Sequence, residues 1–125
     1  MANLIDGKAI AAQIREEVKV EAEKFCSEGI IPKLAVVLVG DDPASVVYAK
    51  SKQKAASKVG IDFELFEMAG STPEADVLAL IEKLNNDKNV HGIMVELPLP
   101  KHISKENIMS AVHPKKDVDG VHPIN

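Results

Sequence analysis

The stretch Leu34-Ala35-Val36-Val37-Leu38-Val39-Gly40-Asp41-Asp42-Pro43 decides the fold. Its apolar first part is typical of a strand that is buried on both faces, as in a parallel sheet. Gly40 and Asp41 then form a turn, Asp42 is a natural helix cap, and Pro43 suits the first turn of a helix. The stretch therefore predicts a strand followed directly by a helix, which is the repeating unit of parallel α/β sheets.

A first helix is predicted before this stretch. Asp6 can cap it, so that it begins near Gly7 and ends at Gly29. Apolar residues recur within it at helical spacing, which indicates a single apolar face. These residues are Ile10, Ile14, Val18, Ala22 and Phe25.

The rest of the chain continues the alternation of helices and strands. The helix that follows Pro43 is expected to end at Gly60, and residues 61–68 then form a strand whose imperfect alternation suits a sheet edge. Thr72 is expected to cap a third helix, with Val77, Leu80, Ile81 and Leu84 as its buried stripe. Residues 92–95 form a short strand, Ser104 caps a last helix to about residue 112, and a loop follows.

The order α-β-α-β-α-β-α predicts an α/β fold. We expect a small three-layer domain with a short parallel sheet of about three strands flanked by helices. A chain of 125 residues is long enough for one domain with a real core, so residues 1–125 are expected to form a single domain.

Composition excludes several classes of function. A net charge of −4, with Arg15 as the only arginine, gives no reason to expect a nucleic acid as partner. Cys26 is the only cysteine, and the four histidines match no zinc spacing, so we predict no disulfide and no metal site. No apolar run approaches the roughly 20 residues that a membrane span needs, and no leader peptide is visible at the start. The expected location is the cytoplasm.

Ser45, Tyr48 and Lys52 follow one another at spacings of three and four, so they share one helix face. This helix begins at the carboxyl edge of a predicted parallel sheet, where ligands collect in open α/β folds. A phenol beside an amine could bind a ring and transfer protons. The alternative is ordinary packing of Tyr48 against the aliphatic stem of Lys52. The neighbouring lysines lie on another stripe and are expected to be solvated: Lys50, Lys54 and Lys58.

Glu96 follows the short strand 92–95 and is itself followed by Leu97-Pro98-Leu99-Pro100. A carboxylate at the end of a buried strand is costly unless it is paired or lies at a wet edge. It could therefore belong to a site at the same sheet edge as Lys52, or simply mark the point where the strand turns into solvent. The prolines stiffen the chain there, and the isomer of each Leu-Pro bond is left open.

Asp117 and Asp119 flank Val118 in a loop that ends at Gly120. An Asx turn is the commonest use of such residues. A calcium loop is not expected, because its further oxygen ligands and its terminal glutamate are missing.

Taken together, four segments in this order resemble the bifunctional methylenetetrahydrofolate dehydrogenase/methenyltetrahydrofolate cyclohydrolase family. The resemblance extends over the whole chain, and although each segment alone is a weak signal, the set is specific. The segments are Ile5-Asp6-Gly7-Lys8, Val39-Gly40-Asp41-Asp42-Pro43-Ala44-Ser45 with Tyr48 and Lys52, Val95-Glu96-Leu97-Pro98-Leu99-Pro100, and Lys116-Asp117-Val118-Asp119-Gly120-Val121-His122-Pro123.

The resemblance implies the amino-terminal, folate-binding domain of a two-domain enzyme. The second domain of the family is a Rossmann domain for NADP or NAD, and no Gly-rich dinucleotide fingerprint follows a strand in this sequence. We therefore expect the cofactor to be bound mainly by a domain absent from this chain, and none by this chain alone. The 125 residues would be one domain of a longer enzyme or a naturally short relative. The implied ligands are tetrahydrofolate derivatives, the implied full-length state is a homodimer, and the implied pathway role is one-carbon metabolism that serves purine and amino-acid biosynthesis.

The resemblance also implies roles for individual residues. Lys52 would accept and donate protons while water adds to the methenyl carbon and the ring C–N bond opens. Tyr48 would stack on the folate ring and help to place Lys52, and Asp119 would accept from the N–H groups of the pterin edge. Three residues would surround these groups: Ser45 as a supporting partner, and Leu97 and Pro98 as walls of the ring slot.

Glu96 is a departure, because the family usually has glutamine at this position. A glutamine amide both donates and accepts hydrogen bonds, whereas an ionised glutamate only accepts. Beside Lys52 it would form an ion pair, and a lysine held as ammonium is a poorer base near neutral pH. The sequence thus predicts that Glu96 lowers cyclohydrolase activity more than it lowers folate binding. The rival is that Glu96 stays protonated in the filled cleft and imitates the glutamine donor.

Two alternatives remain at this point. The chain could be a non-catalytic folate-binding or assembly module in which Glu96 marks weakened chemistry. It could also be an unrelated small α/β domain, in which case replacing Lys52 would change neither binding nor activity.

Overall fold

The computed structural model describes residues 4–125 of the chain. Its elements alternate along the sequence as predicted, with four helices and three strands in this part of the chain. In order they are α1 (Gly7–Ser27), β1 (Lys33–Val39), α2 (Pro43–Val59), β2 (Asp62–Met68), α3 (Glu74–Asn86), β3 (Gly92–Val95) and α4 (Lys105–Ala111).

The three strands form one parallel sheet in the order β2-β1-β3. β1 pairs with β2 over its whole length, from Lys33 opposite Asp62 to Val39 opposite Met68. β3 pairs with the other side of β1, so β2 lies at an edge of this sheet, as its imperfect alternation predicted. The α/β fold with a short parallel sheet between helical layers is therefore confirmed.

Strand order determines which helices cover each face of the sheet. β1 connects through α2 to one neighbour, and β2 connects through α3 back past β1 to the other. Right-handed crossovers in opposite directions put their helices on opposite faces. Accordingly, a buried apolar cluster joins one face of the sheet to α3 and α4, whereas α2 packs against β1 and β2 from the other side.

Alternation along β1 divides its side chains between the two layers. Ala35, Val37 and Val39 belong to the cluster with Val77 and Ile81 of α3. The intervening residues of β1 are also buried. A continuous apolar run was therefore the correct indication of a strand with protein on both faces.

Most predicted helix ends are confirmed. The side chain of Asp6 accepts from the backbone N–H of Ala9 at 3.1 Å, and Asp42 accepts from that of Ser45 at 3.0 Å. Ser104 accepts from the N–H of Asn107 at 3.2 Å. These bonds satisfy N–H groups that a helix leaves unpaired at its start.

The prediction that Thr72 caps α3 was wrong. The helix begins at Glu74, its cap position is Pro73, and no side chain makes a capping hydrogen bond there. Both the N–H and the hydroxyl of Thr72 instead bond to the carbonyl of Ala69, at 2.9 Å and 2.6 Å. A local turn therefore uses the threonine that the helix would have used, which is the usual competition for short hydroxyl side chains.

The apolar face predicted for α1 is present in the sequence but is mostly uncovered. Of this helix only Ala22 is buried, and Ile10, Ile14 and Phe25 are exposed. The principal helical neighbour of α1 is α2. Helical spacing therefore located the apolar stripe correctly, but spacing alone does not say how much of a stripe is covered.

No helix within residues 4–125 is both long enough and apolar enough to cross a membrane.

Candidate functional site

The candidate site lies where the strand order reverses. The chain leaves β1 through α2 toward β2, whereas β3 lies on the opposite side of β1. Connections that diverge in this way leave a crevice at the carboxyl ends of the strands, which is where open α/β sheets bind ligands. The segment that follows β3, Glu96–Pro98, leaves the sheet at this edge and is called the β3 exit below. The N–H of Glu96 still bonds to the carbonyl of Val37 in β1, at 2.9 Å.

Lys52 and Glu96 meet at this edge. The ammonium nitrogen of Lys52 lies 2.6 Å from Oε1 of Glu96, which joins the middle of α2 to the β3 exit. The side chain of Glu96 is only 7% exposed and that of Lys52 is 36% exposed. A carboxylate so buried requires a charged or hydrogen-bonding partner, and Lys52 supplies it. The interpretation of Glu96 as a strand end that turns into solvent was therefore wrong, and the expected ion pair is present.

Ser45 is fully buried at the start of α2, with 1% of its surface exposed. Its hydroxyl oxygen lies 2.9 Å from the carbonyl oxygen of Leu97 and 3.0 Å from Oδ2 of Asp42, so its single proton can be donated to either. The hydroxyl therefore ties the first turn of α2 to the β3 exit. The sequence predicted Asp42 as a helix cap but not its contact with the Ser45 hydroxyl. The signal was present, because the two residues are three positions apart at the start of a helix, where side chains at this spacing contact each other.

Tyr48 lies one helical turn before Lys52 on the same face of α2. It is 63% exposed, so it is not a core residue, and no group within residues 4–125 forms a hydrogen bond with its hydroxyl. The Tyr48 ring is therefore not buried by any residue that the structure describes. The ring is available to a ligand that lies along this face of α2.

Leu97 and Pro98 are exposed and are joined by a cis peptide bond. They contribute to a surface pocket of about 460 Å³ at the β3 exit. None of Tyr48, Lys52 and Asp119 lines this pocket. The pocket is lined by Leu97, Pro98, Leu99, Pro100, Lys101, Ile103 and Lys105.

Asp117 organises the loop that passes the free side of β3. It forms an isolated parallel bridge with Ile93. Its carboxylate accepts from the N–H groups of Val121 and His122, at 3.0 Å and 2.7 Å, and from the side chain of Asn125 at 3.1 Å. The two backbone bonds reach four and five residues ahead, so Asp117 closes a wider loop than the Asx turn that the sequence predicted.

These hydrogen bonds change the acidity of Asp117. Its partial burial raises the pKa of the carboxyl group, but donation from the His122 N–H, the Asn125 side chain and the Val121 N–H outweighs burial. The pKa of Asp117 is consequently held below its ordinary value of 3.8. Asp117 is therefore a structural anion that holds the loop closed.

Lys116 anchors the same loop from the other side. Its ammonium group donates to the carbonyls of Leu84 and Asp87, at 3.0 Å and 2.8 Å, where α3 ends. Sequence reasoning missed this contact. No local signal could have found it, because the helix end lies about thirty positions earlier in the chain.

Asp119 is exposed in this loop. Its side chain forms no hydrogen bond or ion pair with Tyr48, Lys52 or Glu96 in the described part of the chain. The bridge at Asp117 shows that the chain runs parallel to β3 there, which is toward the sheet edge where Glu96 lies. The structure thus brings Ser45, Lys52, Glu96 and Leu97 together by direct bonds, and it leaves Asp119 outside that bonded group.

Each of the four histidines takes part in a hydrogen bond within residues 4–125. His91 Nδ1 accepts from the N–H of Lys33, and His102 Nε2 contacts the carbonyl of Thr72. His113 and His122 each accept from an N–H group two residues further along the chain.

Comparison with known proteins identifies the family of this chain. The sequence model of the family described as tetrahydrofolate dehydrogenase/cyclohydrolase, catalytic domain, matches residues 5–119. A bifunctional protein FolD from Heliobacterium modesticaldum is 68% identical over 124 residues, which are 99% of this chain and 43% of that protein. The chain therefore spans less than half the length of this curated relative.

Solved structures share the fold. The bifunctional FolD methylenetetrahydrofolate dehydrogenase/cyclohydrolase of Campylobacter jejuni matches with a TM-score of 0.95 and 48% identity, over 98% of this chain and 43% of that one. The Trypanosoma brucei methylenetetrahydrofolate dehydrogenase-cyclohydrolase, solved with NADP cofactor and inhibitor, matches with a TM-score of 0.91 and 32% identity, over 99% of this chain and 42% of that one. With its family match over residues 5–119, the chain belongs to the tetrahydrofolate dehydrogenase/cyclohydrolase catalytic-domain family.

Proposed function

We propose that this chain supplies the folate site and the proton-transferring lysine of an enzyme of one-carbon folate metabolism. The enzyme would oxidise 5,10-methylenetetrahydrofolate to the 5,10-methenyl form and hydrolyse the latter to 10-formyltetrahydrofolate. Family membership and the names of the relatives support both activities. The observation that carries the proposal is the Lys52 ammonium, held 2.6 Å from a buried carboxylate at the reversal point of the sheet.

The hydrolytic step needs a group that both takes and returns a proton. Water adds to the methenyl carbon and loses one proton, which leaves a hydroxyl group on that carbon. The bond from the carbon to N5 then breaks as N5 gains a proton, and the hydroxyl group loses its own proton to become the formyl carbonyl. Lys52 is the only amine among the bonded residues of the site, and it is held on a rigid helix, so it is the group proposed for both transfers. Tyr48 is proposed to stack on the folate ring, and Asp119 to accept hydrogen bonds from the pterin edge.

NADP is not expected to be bound by this chain alone. In dinucleotide-binding folds the pyrophosphate sits at a helix N-terminus after a Gly-rich turn. The corresponding turn here contains Asp41 and Asp42, and the Asp42 carboxylate already occupies the N–H of Ser45 at the start of α2. These charges do not suit a phosphate group. We therefore propose that a further domain of the complete protein binds NADP, and no step through the cofactor is assigned to this chain.

Other consequences of the resemblance remain predictions. They are a homodimer at full length, a cytoplasmic location, and the supply of one-carbon units for purine and amino-acid biosynthesis.

The test compares two lysine variants in the protein at its natural length. Lys52→Gln should retain folate binding and lose cyclohydrolase activity by roughly 100-fold or more, in the range expected for loss of a general acid/base. Lys54→Gln is the matched control, because Lys54 is an exposed lysine of the same helix. Folate binding without turnover in the unaltered protein would favour a non-catalytic folate-binding module. An unchanged cyclohydrolase rate in Lys52→Gln would contradict the proposed role of Lys52.

A further inference from the structure

The carboxylate of Glu96 is only half used by its ion pair. Oε1 contacts Lys52, whereas Oε2 accepts no hydrogen bond from any group within residues 4–125. Among these residues, no side-chain oxygen is both fully inaccessible and unbonded. Oε2 is therefore not completely enclosed, although the side chain as a whole is only 7% exposed. One oxygen of a buried, charged carboxylate thus opens at the candidate site.

The charge of the pair differs from that of a lysine beside a neutral residue. With Glu96 ionised, the local charges of Lys52 and Glu96 cancel. With a neutral amide at the same place, the ammonium of Lys52 would remain as an uncompensated positive charge. Within the described part of the chain, Glu96 is the carboxylate that forms an ion pair with Lys52, and the other two ion pairs lie elsewhere, at Lys24–Glu21 and Lys33–Glu64.

The two folate forms of the proposed reaction also differ in charge at the bridge. Oxidation removes a hydride, with both electrons of the C–H bond, from the methylene carbon to the oxidised nicotinamide. The remaining methenyl bridge carries one positive charge that is shared by N5, the carbon and N10. A site with an uncompensated ammonium repels this bridge, whereas a site with a carboxylate oxygen open to the ligand attracts it.

We propose that Glu96 is a specificity-determining residue that makes the site prefer 5,10-methenyltetrahydrofolate, whose bridge is cationic, over reduced folates that are neutral around N5 and N10. The proposal rests on the proposed function, because it assumes that folate occupies this edge of the sheet. It adds that the carboxylate retains the cationic intermediate. A retained and stabilised cation is also attacked more slowly by water, so the same charge that strengthens binding opposes hydrolysis.

The test measures charge selectivity by binding and not by turnover. Association and dissociation rates of 5,10-methenyltetrahydrofolate, read by stopped flow before hydrolysis, provide its dissociation constant for the protein at its natural length. Tetrahydrofolate is the neutral probe. Glu96→Gln preserves the shape of the side chain and removes its charge, and we expect it to lower the preference for the methenyl form about tenfold, a reduced Coulomb effect at a partly exposed pair. Glu96→Asp, which keeps the charge, should keep most of the preference.

Each outcome decides between the two proposals. If tetrahydrofolate binds equally to both proteins and the preference changes by less than about twofold in Glu96→Gln, this inference is overturned while the folate function stands. If the unaltered protein binds neither probe, the proposed function itself fails. If Glu96→Gln does not fold, Glu96→Met takes its place, because it also removes the charge and has a similar length: a preference for the methenyl form that falls about tenfold supports the charge effect, and an unchanged preference overturns it.

Discussion

The hydroxyl oxygen of Ser45 lies 2.9 Å from the carbonyl oxygen of Leu97, although 52 positions of the chain separate the two residues. This contact joins the first turn of α2, which carries Tyr48 and Lys52 further along, to the β3 exit, which carries Glu96. The relative position of the proposed acid/base groups therefore depends in part on a partly buried contact of the Ser45 hydroxyl. It adds to the effect of the ion pair itself.

Replacing Ser45 by alanine should destabilise the protein and loosen the site. The Leu97 carbonyl would lose a buried donor, and such losses cost about 1–3 kcal/mol of unfolding free energy. Urea unfolding measures the change. Ser51→Ala is the control, because Ser51 is an exposed serine of the same helix and its replacement removes no buried bond. Equal unfolding free energies for the two variants would show that the contact with Leu97 does not contribute to stability.

Restoring glutamine at position 96 should raise the cyclohydrolase rate near neutral pH, by roughly threefold to tenfold. The change removes the carboxylate that now binds the amine of Lys52 at 2.6 Å, and it puts in its place an amide that can both donate and accept hydrogen bonds. The measurement is the hydrolysis rate against pH in the protein at its natural length, for the unaltered protein and for Glu96→Gln. The idea that Glu96 restrains the hydrolytic step is wrong if the two rates agree near neutrality.

Asp117 should make stability depend on pH in the acid range. Folding lowers the pKa of this carboxyl below its ordinary value of 3.8, because backbone N–H groups and Asn125 donate to its charged form. Its contribution is therefore complete above the unfolded pKa and is lost as pH falls through the lower folded pKa. Between about pH 5 and pH 2 the unaltered protein should lose more unfolding free energy than Asp117→Asn.

The matching control for this prediction is Asp41→Asn, which alters an exposed carboxylate in the turn after β1. Its acid dependence should follow that of the unaltered protein. If Asp117→Asn loses stability in acid as steeply as the unaltered protein, the hydrogen bonds to Asp117 do not control the acid response.

The 125-residue chain by itself should not oxidise 5,10-methylenetetrahydrofolate with NADP. A pyrophosphate binds to free N–H groups at the start of a helix. The turn after β1 has Asp41 and Asp42 at this place, and the Asp42 carboxylate already accepts from the N–H of Ser45. The formation of NADPH, followed by its absorbance, measures the activity of the isolated chain beside that of the protein at its natural length. Robust turnover by the isolated chain would contradict this prediction and would require a cofactor site within residues 1–125.

Much of the fold could be predicted because its determinants are local. The apolar run of β1, the caps at Asp6, Asp42 and Ser104, and the stop at Gly60 each act within a few residues. Gly60 adopts a φ of 81°, a conformation that few other residues reach cheaply, so its place at the helix end was readable from the sequence. Thr72 was misassigned because two local structures compete for the same hydroxyl, and their balance depends on the surrounding turn.

The candidate site was only partly predictable. The helical spacing of Tyr48 and Lys52 showed that the two side chains share a face, and their resemblance to a known family connected that face with Glu96. Spacing did not show the partner of Ser45, the use of Lys116 at the end of α3, or the absence of a direct bond from Asp119 to Lys52. Each of these depends on segments that lie far apart in the chain.

The sequence by itself determined which segments become helices and strands, where most of them begin and end, and which chemical groups stand at the strand ends. Those outcomes follow from side-chain alternation, capping and turn chemistry, which act over a few residues. Only the tertiary structure decided the strand order β2-β1-β3, and with it the approach of Glu96 to Lys52 and of Leu97 to Ser45. The physical reason is that strand pairing is chosen by burying the faces of the whole sheet under helices on both sides, a balance to which every distant segment contributes.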